Sequence, residues 1–416
     1  MAACGLDFGT SNTTVGLVDE KRGARLAPLE GAATALPSAI FFDFEHGDTA
    51  IGQAAIDVYV AGGEGRLMRA LKSVLGTDLI DEDTALLKGR IGFRAVIQRF
   101  LAAVKARAET AAGRPLDAVV HGRPVRFVDD DPTADARAEQ ALREIAARIG
   151  FRHVAFQLEP IAAAFAYERE LAREEIALVA DIGGGTSDFS VVRLGPQRRH
   201  GERQDDILGN DGVRVGGTDF DRDLSLAAVM PHLGYGSAMK RPGLATPNLL
   251  FSDLATWSKI NFLYTPRSLT ELRQIRREAA HPELIDRIIR VVTLRRGHRL
   301  LMDVEAAKIA LSERPEVEIA VDWIEEGLAP RIDRATLAGA TRDLARRIGE
   351  RIGNCLRQAG IEAAAIDAVF LTGGSTLLPH VRATIAGALP EARIVEGDKF
   401  GAVGTGLAID AQRRFR

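Results

Sequence analysis

Two runs in the chain combine residue types that could handle phosphate. The first is Asp181-Ile182-Gly183-Gly184-Gly185-Thr186-Ser187-Asp188. Three successive glycines open backbone conformations closed to other residues and let a ligand come close to the main chain. Their consecutive N–H groups can cup an anion. Two carboxylates, Asp181 and Asp188, would repel a bare phosphate at such a cup. They fit if a divalent cation, Mg²⁺ held through water, lies between. Thr186 adds a hydroxyl at the same place. The second run, Gly5-Leu6-Asp7-Phe8-Gly9-Thr10-Ser11-Asn12-Thr13-Thr14, repeats the plan of strand, Asp-x-Gly, hydroxyls and strand. One octet could be an ordinary glycine-rich hairpin. Two related hairpins far apart in one chain imply a duplicated core with a ligand between the halves. A P-loop would lead from strand into helix and carry Gly-Lys-Ser/Thr, which neither run does. The expectation is a nucleotide site.

The flanking elements must position these runs. Ile176–Ala180 is short and apolar, as a buried strand should be, and Phe189–Leu194 begins with polar/apolar alternation. Lys72 lies in the apolar run Leu67–Gly76. It is either a lysine snorkelling from a short helix or an ammonium aimed at the terminal phosphate or the attacking water. Glu159 opens Glu159-Pro160-Ile161-Ala162-Ala163-Ala164-Phe165-Ala166-Tyr167, where proline suits a first helical turn. It could be a solvated acid stabilised by the helix dipole, or an acceptor for a water at the phosphate; its neighbours favour the second. Gly216 and Gly217 form another glycine turn into a helix, whose amides could meet phosphate. Glu305 and Lys308, three apart, share a helix face and read by default as an exposed ion pair. Strand Ala368–Leu371 enters Thr372-Gly373-Gly374-Ser375-Thr376, and a helix follows from Pro379. Glycines between strand and helix can let a base or ribose lie against the backbone. Gly401–Ala408 reads as a small-residue helix suited to tight packing.

Elsewhere the pattern predicts a strand over Leu36–Phe42, a helix over 91–112, and a strand over Leu116–Val120 followed by a turn at Gly122-Arg123-Pro124. A second helix should follow Asp131-Pro132, then strand Val154–Leu158. Arg193–Asp206 reads as a solvated hairpin tip, 222–300 as an inserted subdomain of helical pieces, and 335–359 as one amphipathic helix. Length, 416 residues, allows two or three domains, and a net charge of −3 gives no electrostatic case for nucleic acid or membrane. Cys4 and Cys355 cannot form a disulfide framework, so a reducing cytoplasm is expected. No charged leader, apolar signal core or bilayer-length apolar run is visible.

Together these runs resemble the actin-like ATPase superfamily, and within it the DnaK family of seventy-kilodalton heat-shock chaperones. The matching runs are Gly5–Thr14, Ala70–Gly76, Glu159–Tyr167, Asp181–Asp188, Gly216–Asp221, Glu305–Ser312, Asp367–Thr376 and Asp398–Gly404. Gly209–Asp221 and Gly122-Arg123-Pro124 look closest to the YegD-like branch, which consists of the nucleotide-binding domain alone. The resemblance implies an α/β, two-lobed actin-like ATPase fold of duplicated ribonuclease-H-like domains. Lobe I would be 1–171, with an inserted subdomain near 31–90; lobe II would be 172–416, with one near 222–304. ATP or ADP with Mg²⁺ would lie in the cleft, with K⁺ as a further candidate ion. Asp7 and Asp181 would hold hydrated Mg²⁺. Gly9, Thr10, Ser11 and Asn12, with Gly183, Gly184 and Gly185, would surround phosphate oxygens. Lys72 and Glu159 would place the attacking water, with Thr186 and Asp188 beside the terminal phosphate. Gly216, Gly217, Glu305, Lys308, Gly373, Gly374, Ser375 and Asp398 would complete the nucleotide site. Where the family stacks an arginine on adenine, after the Gly-Gly-Ser-Thr run, this chain has Leu377. The chain stops at Arg416. A peptide-binding domain is therefore not expected, and a protein client or co-chaperone would be a separate partner. The alternatives are a filament protein of the actin and MreB type and a small-molecule kinase. Lys72 in its Leu-Lys-x-x-Leu-Gly setting and the long insertion favour the chaperone-like ATPase.

Overall fold

The computed structural model describes residues 2–19, 23–87, 89–128, 131–198, 203–257, 259–396 and 401–415. The chain divides into two compact units. One comprises Met1–Arg214, Glu350–Thr376 and Ala386–Arg416; the other comprises Val215–Gly349 and Leu377–Ile385.

The first unit holds two sheets of matching topology. In one, Ala3–Phe8 and Asn12–Asp19 form an antiparallel hairpin with Asp7 opposite Thr14. Ala118–Arg123 and then His153–Leu158 add in parallel beyond the first hairpin strand, and Gly23–Leu26 adds antiparallel beyond the second. In the other, Glu175–Ile182 and Ser187–Leu194 form the hairpin with Asp181 opposite Asp188. Ala368–Thr372 and Arg393–Glu396 again add in parallel on the first-strand side, and Ile207–Val213 antiparallel on the second. The duplicated core expected from the paired motifs is therefore present as two sheets of one strand order. Central strands such as Ala177–Ala180 are buried on both faces, which is why they read as continuous apolar runs.

Two helices, Glu159–Glu168 and Ala402–Arg414, share a buried cluster with Val120 of one sheet and Val179 of the other. Small residues let them come close. A Cβ at Gly406 would lie 1.8 Å from the Ala162 carbonyl oxygen, and one at Gly404 would lie 2.3 Å from the Thr14 hydroxyl. A Cβ at Gly5, on the sheet side, would meet the helix backbone at Ala408 at 2.4 Å.

Several local expectations are corrected. The strand expected over Leu36–Phe42 is two strands, Ala35–Pro37 and Ala39–Asp43, parted at Ser38. The Ser38 N–H donates to the Ser11 carbonyl (2.8 Å) and its hydroxyl to the Gly9 carbonyl (2.7 Å), which takes it out of the ladder. Gly122 and Arg123 are not a turn but the end of a strand, where Arg123 binds Asp135 and Glu139 at 2.7 and 2.6 Å. The 193–206 segment is not simply solvated: Arg203 is 6% exposed and donates from both terminal guanidinium nitrogens to Glu168, at 2.9 and 2.8 Å. Near the C-terminus, Arg413 lies over the Phe165 ring at 4.9 Å.

The second unit is mainly helical. It contains Gly217–Ala228, Pro266–Glu278, Pro282–Thr293, Gly297–Glu313 and a short hairpin of Glu316–Glu318 with Arg331–Asp333. The helix expected over 335–359 is two, Arg334–Ala340 and Arg342–Ala359. The break is at Thr341, whose hydroxyl donates to the Leu337 carbonyl (2.7 Å) and accepts from His380 (2.9 Å).

The backbone contacts of Ala402–Arg414 yield a paired prediction. Gly406→Ala should destabilise the protein by about 3 kcal/mol or more, because its Cβ can fit only if the two helices separate. Gly353→Ala, mid-helix and meeting only the flexible end of Arg357 at 3.5 Å, should instead stabilise by about 0.5–1 kcal/mol. Urea unfolding of both variants measures the contrast; equal effects would show that the close approach is not structural.

Candidate phosphate and metal site

Both Asp-Gly hairpins lie in the first unit, and their loops touch. A Cβ at Gly184 would fall 1.7 Å from the Ser11 hydroxyl, and one at Gly185 would fall 3.7 Å from the Thr10 methyl. Each loop is closed from within. A Cβ at Gly9 would fall 2.3 Å from the Asn12 carbonyl oxygen, and Gly183 N–H donates to the Thr186 carbonyl at 2.9 Å. Thr186 itself is exposed in this turn.

Lys72 sits in a one-turn 3₁₀ helix, Leu71–Val74, preceded by Ala70 at φ 55°. Its ammonium donates to Glu159 Oε1 at 2.7 Å, and each side chain is only 12% exposed. Glu159 stands at the first residue of its helix, as expected. Gly122 leaves room for it, since a Cβ there would approach Glu159 Cγ to 3.2 Å. Glu159, Asp181 and Asp188 line one recess together with Pro124, Ser190, Asn210 and Thr372.

The charges in this region are out of balance. Burial, then the Glu159 carboxylate, pushes the Asp7 carboxyl well above its ordinary value, against the opposing pull of Lys72. Asp181 is pushed up to about 7 by burial and then by Asp188 and Glu159. Burial works against the Lys72 ammonium, but Glu159, Asp7 and Asp181 outweigh it and raise its pKa. Carboxylates so disfavoured as anions gain from a further positive charge. The donor set therefore fits a divalent cation at Asp7 and Asp181. Among the described residues no three His, Cys, Asp or Glu side chains converge as ready-made ligands. Oxygen donors from water and phosphate would complete the shell, as Mg²⁺ favours.

The other expected residues fall in two groups. Gly373, Gly374 and Ser375 belong to the first unit and back the second hairpin. Gly373 has φ 81°, and a Cβ there would lie 2.3 Å from the Ile182 carbonyl and 2.9 Å from Asp181 Oδ1. The Ser375 hydroxyl points at the Gly183 carbonyl at 3.5 Å. Gly216, Gly217, Glu305 and Lys308 belong to the second unit. The Gly216 N–H is taken by Asp219 at 3.0 Å. Lys308, read by default as half of an exposed pair with Glu305, is buried. It pairs with Asp221 at 2.8 Å and donates to the Gly217 carbonyl at 3.0 Å. Glu305 is half-buried on the same helix. Asp398 lies outside the described residues.

Sequence reading missed two residues that shape the site. Ser38 holds the first loop by the two hydrogen bonds given above. Pro37-Ser38 carries no signal of that role, because the partners lie 27 to 29 residues away. His121 is fully buried between Leu6 and Phe156 in register; its Nδ1 is 2.8 Å from the Gly122 carbonyl, and Nε2 has no hydrogen-bond partner. Only its place in an apolar strand marked it.

A family profile described as Hsp70 protein matches residues 286–412, and one described as MreB/Mbl protein matches residues 75–226. Relatives align along the whole chain. The chaperone protein DnaK of Elusimicrobium minutum is 27% identical over 422 residues, covering 98% of this chain and 57% of the relative. The chaperone protein HscA homolog of Shewanella amazonensis is 25% identical, covering 98% and 58%. HscA of Edwardsiella ictaluri is 27% identical, covering 98% and 58%. The chain is thus similar along its whole length to chaperones of the Hsp70 family, and the two profile matches agree with an actin-like ATPase fold. The chain spans a little under three fifths of the length of those relatives. Its paired sheets are the duplicated ribonuclease-H-like cores of the actin-like fold. No described helix is long and apolar enough to cross a membrane.

His121 sets a pH prediction. Burial, with Lys72 nearby, lowers its pKa to about 4. The unfolded imidazole binds its proton near pH 6.5, so between these values the unfolded state holds more protons. This contribution to stability is complete above about pH 6.5 and is lost as pH falls toward 4, by on the order of 3 kcal/mol. His121→Phe should remove that loss. Urea unfolding at pH 7 and pH 4.5 should show a shallower decline in the variant than in the parent; parallel declines would exclude His121 as a source.

Proposed function

We propose that this chain is a chaperone-class ATPase of the Hsp70 family that binds ATP or ADP with Mg²⁺ and hydrolyses ATP slowly. The supporting observation is the meeting of the two hairpin loops beside the Lys72–Glu159 pair and the disfavoured carboxylates Asp7 and Asp181. Asp7 and Asp181 would hold hydrated Mg²⁺. When bound, the ion would neutralise phosphate charge, the chief requirement of phosphoryl transfer. Gly9, Thr10, Ser11, Asn12 and the amides of Gly183–Gly185 would cradle phosphate oxygens. Glu159 would accept a hydrogen bond from the attacking water and hold it in line. An ammonium has three donors, so Lys72 can keep Glu159 and still reach that water or a phosphate oxygen. Asp188 and Thr186 would stand beside the terminal phosphate.

Glu305 and Lys308 in the second unit are proposed for the adenosine, as are Gly373, Gly374 and Ser375 in the first. Gly216, Gly217 and Asp398 complete the proposed nucleotide set. On this reading 1–171 and 172–416 are the two halves of the fold, with insertions near 31–90 and 222–304. Cytoplasmic location, a YegD-like placement, K⁺ as an accessory ion, and a protein client or co-chaperone belong to the same proposal. The match to MreB/Mbl protein over 75–226 supports a second reading, a nucleotide-dependent filament. Electron microscopy of the ATP-bound protein separates the two, since regular filaments would favour it.

Lys72→Ala should lower single-turnover ATP hydrolysis by about 100-fold or more and change ADP affinity far less, because Lys72 is assigned to the reaction and not to the base. Chelating divalent ions should stop turnover in the parent. Unchanged single-turnover hydrolysis in Lys72→Ala would remove Lys72 from the mechanism.

A further inference from the structure

We infer that Ser38 is a positioning residue for the first phosphate loop: it turns two peptide units so that the N–H groups of Thr10 and Asn12 are presented to a phosphate. The inference rests on the nucleotide reading above and concerns how that site grips its ligand.

Ser38 stands between Ala35–Pro37 and Ala39–Asp43 and is 2% exposed. It is too buried to touch a ligand itself. Two of its polar groups instead hold carbonyls of the loop between the first two strands. Its hydroxyl donates to the Gly9 carbonyl at 2.7 Å, and its N–H donates to the Ser11 carbonyl at 2.8 Å. The hydroxyl of the fully buried Thr13 lies 2.9 Å from the Ser38 hydroxyl. A hydroxyl has one hydrogen, and that of Ser38 goes to Gly9, so Thr13 is the donor to Ser38. The bonds run in one direction, from Thr13 through Ser38 to Gly9.

A buried serine often does no more than satisfy nearby backbone. Here the peptide units it holds are what carry the inference. In a planar trans peptide, the carbonyl and the N–H of the next residue point in opposite directions. The described chain has no cis peptide bond. The Gly9 carbonyl faces Ser38, which turns the Thr10 N–H away from Ser38. The Ser11 carbonyl does the same for the Asn12 N–H. Among the described residues, Thr10, Ser11 and Asn12 donate to no carbonyl outside the strand ladders. Neighbouring N–H groups presented on one side of a turn form a concavity suited to an anion. Thr10, Ser11 and Asn12 are only half-buried, so that side is accessible.

The second hairpin repeats the device more loosely. Gly183 holds the place of Gly9 in its own Asp-x-Gly run, and its carbonyl faces the Ser375 hydroxyl at 3.5 Å. Ser375 follows the strand Ala368–Thr372, an element unrelated to the break at Ser38. A serine that meets the same carbonyl in both halves serves the loop and not only a local break in a strand. Fixing the carbonyls in advance spares the loop that ordering when phosphate binds.

The test is the affinity of the full chain for ADP and for AMP in Mg²⁺, read by competition with a fluorescent ADP derivative. The parent is compared with Ser38→Ala, Thr13→Val and the double variant. Ser38→Ala should weaken ADP by about tenfold to a hundredfold, because donors to a charged acceptor lose their alignment. AMP, which lacks the second phosphate, should change by less than about threefold. Thr13→Val should weaken ADP less than Ser38→Ala does. The double variant should match Ser38→Ala, because Thr13 acts through Ser38; this comparison decides independently of AMP. ADP affinity in Ser38→Ala within about threefold of the parent overturns the inference. An equal loss for AMP does so too, since it marks a general loosening of the fold, and so do additive losses in the double variant. In each of these cases a parent that binds ADP leaves the ATPase reading standing. A parent that binds no ADP overturns both readings.

Discussion

Two hairpins can serve one site only if the helices beside them approach more closely than side chains normally permit. In the first unit that approach is made by backbone against backbone. Gly404 and Gly406 of one helix face Thr14 and Ala162, and Gly5 of the first strand faces the same helix. Where even a methyl group would collide with a carbonyl, packing leaves little latitude in position. The loops at the strand ends inherit that fixity. Ser11 and Gly184 are in contact because the elements behind them cannot move apart without opening the shared core.

What that geometry brings together is electrostatically costly. Asp7 and Asp181 are half-buried within reach of Glu159, and Asp188 adds its charge at Asp181. Lys72 answers them, held to Glu159 at 2.7 Å. Buried like charges persist only where the surrounding structure enforces them, and such clusters gather at functional sites. A bound cation and its phosphate would turn this unfavourable arrangement into a binding energy. The same imbalance that weakens the unliganded protein would thus make it sensitive to nucleotide. His121, buried below and unable to accept a proton cheaply, keeps a further positive charge out of the strand layer at neutral pH.

Much of the fold was legible because it rests on short-range rules. The paired Asp-x-Gly hairpins marked a duplication, and the two sheets have one strand order. The helices after Asp131-Pro132, from Pro379 and from Ala402 stand where capping, proline and small-residue patterns placed them. Elements were misread where a distant partner overrode a local pattern. Ser38 splits a strand because Gly9 and Ser11 claim its hydrogen bonds. Thr341 splits a helix with the help of His380. Arg203 leaves solvent because Glu168 is buried and needs it.

The candidate site divides along the same line. Residue types and spacing alone singled out Asp7, Asp181, Asp188 and the glycine loops, because phosphate chemistry demands carboxylates, hydroxyls and open backbone within a few residues. The identities of Lys72 and Glu159 were visible too, but their pairing was not. They are 87 positions apart, and no periodicity encodes a contact across such a separation. Lys308 makes the same point. Its sequence neighbours suggested an exposed partner, Glu305, and the fold gave it a buried one, Asp221. Sequence alone determined which chemistry the chain can attempt, since that is set by side chains and their local backbone. Tertiary structure decided which of those groups share a charge balance, because burial and long-range proximity exist only once the strands and helices have packed.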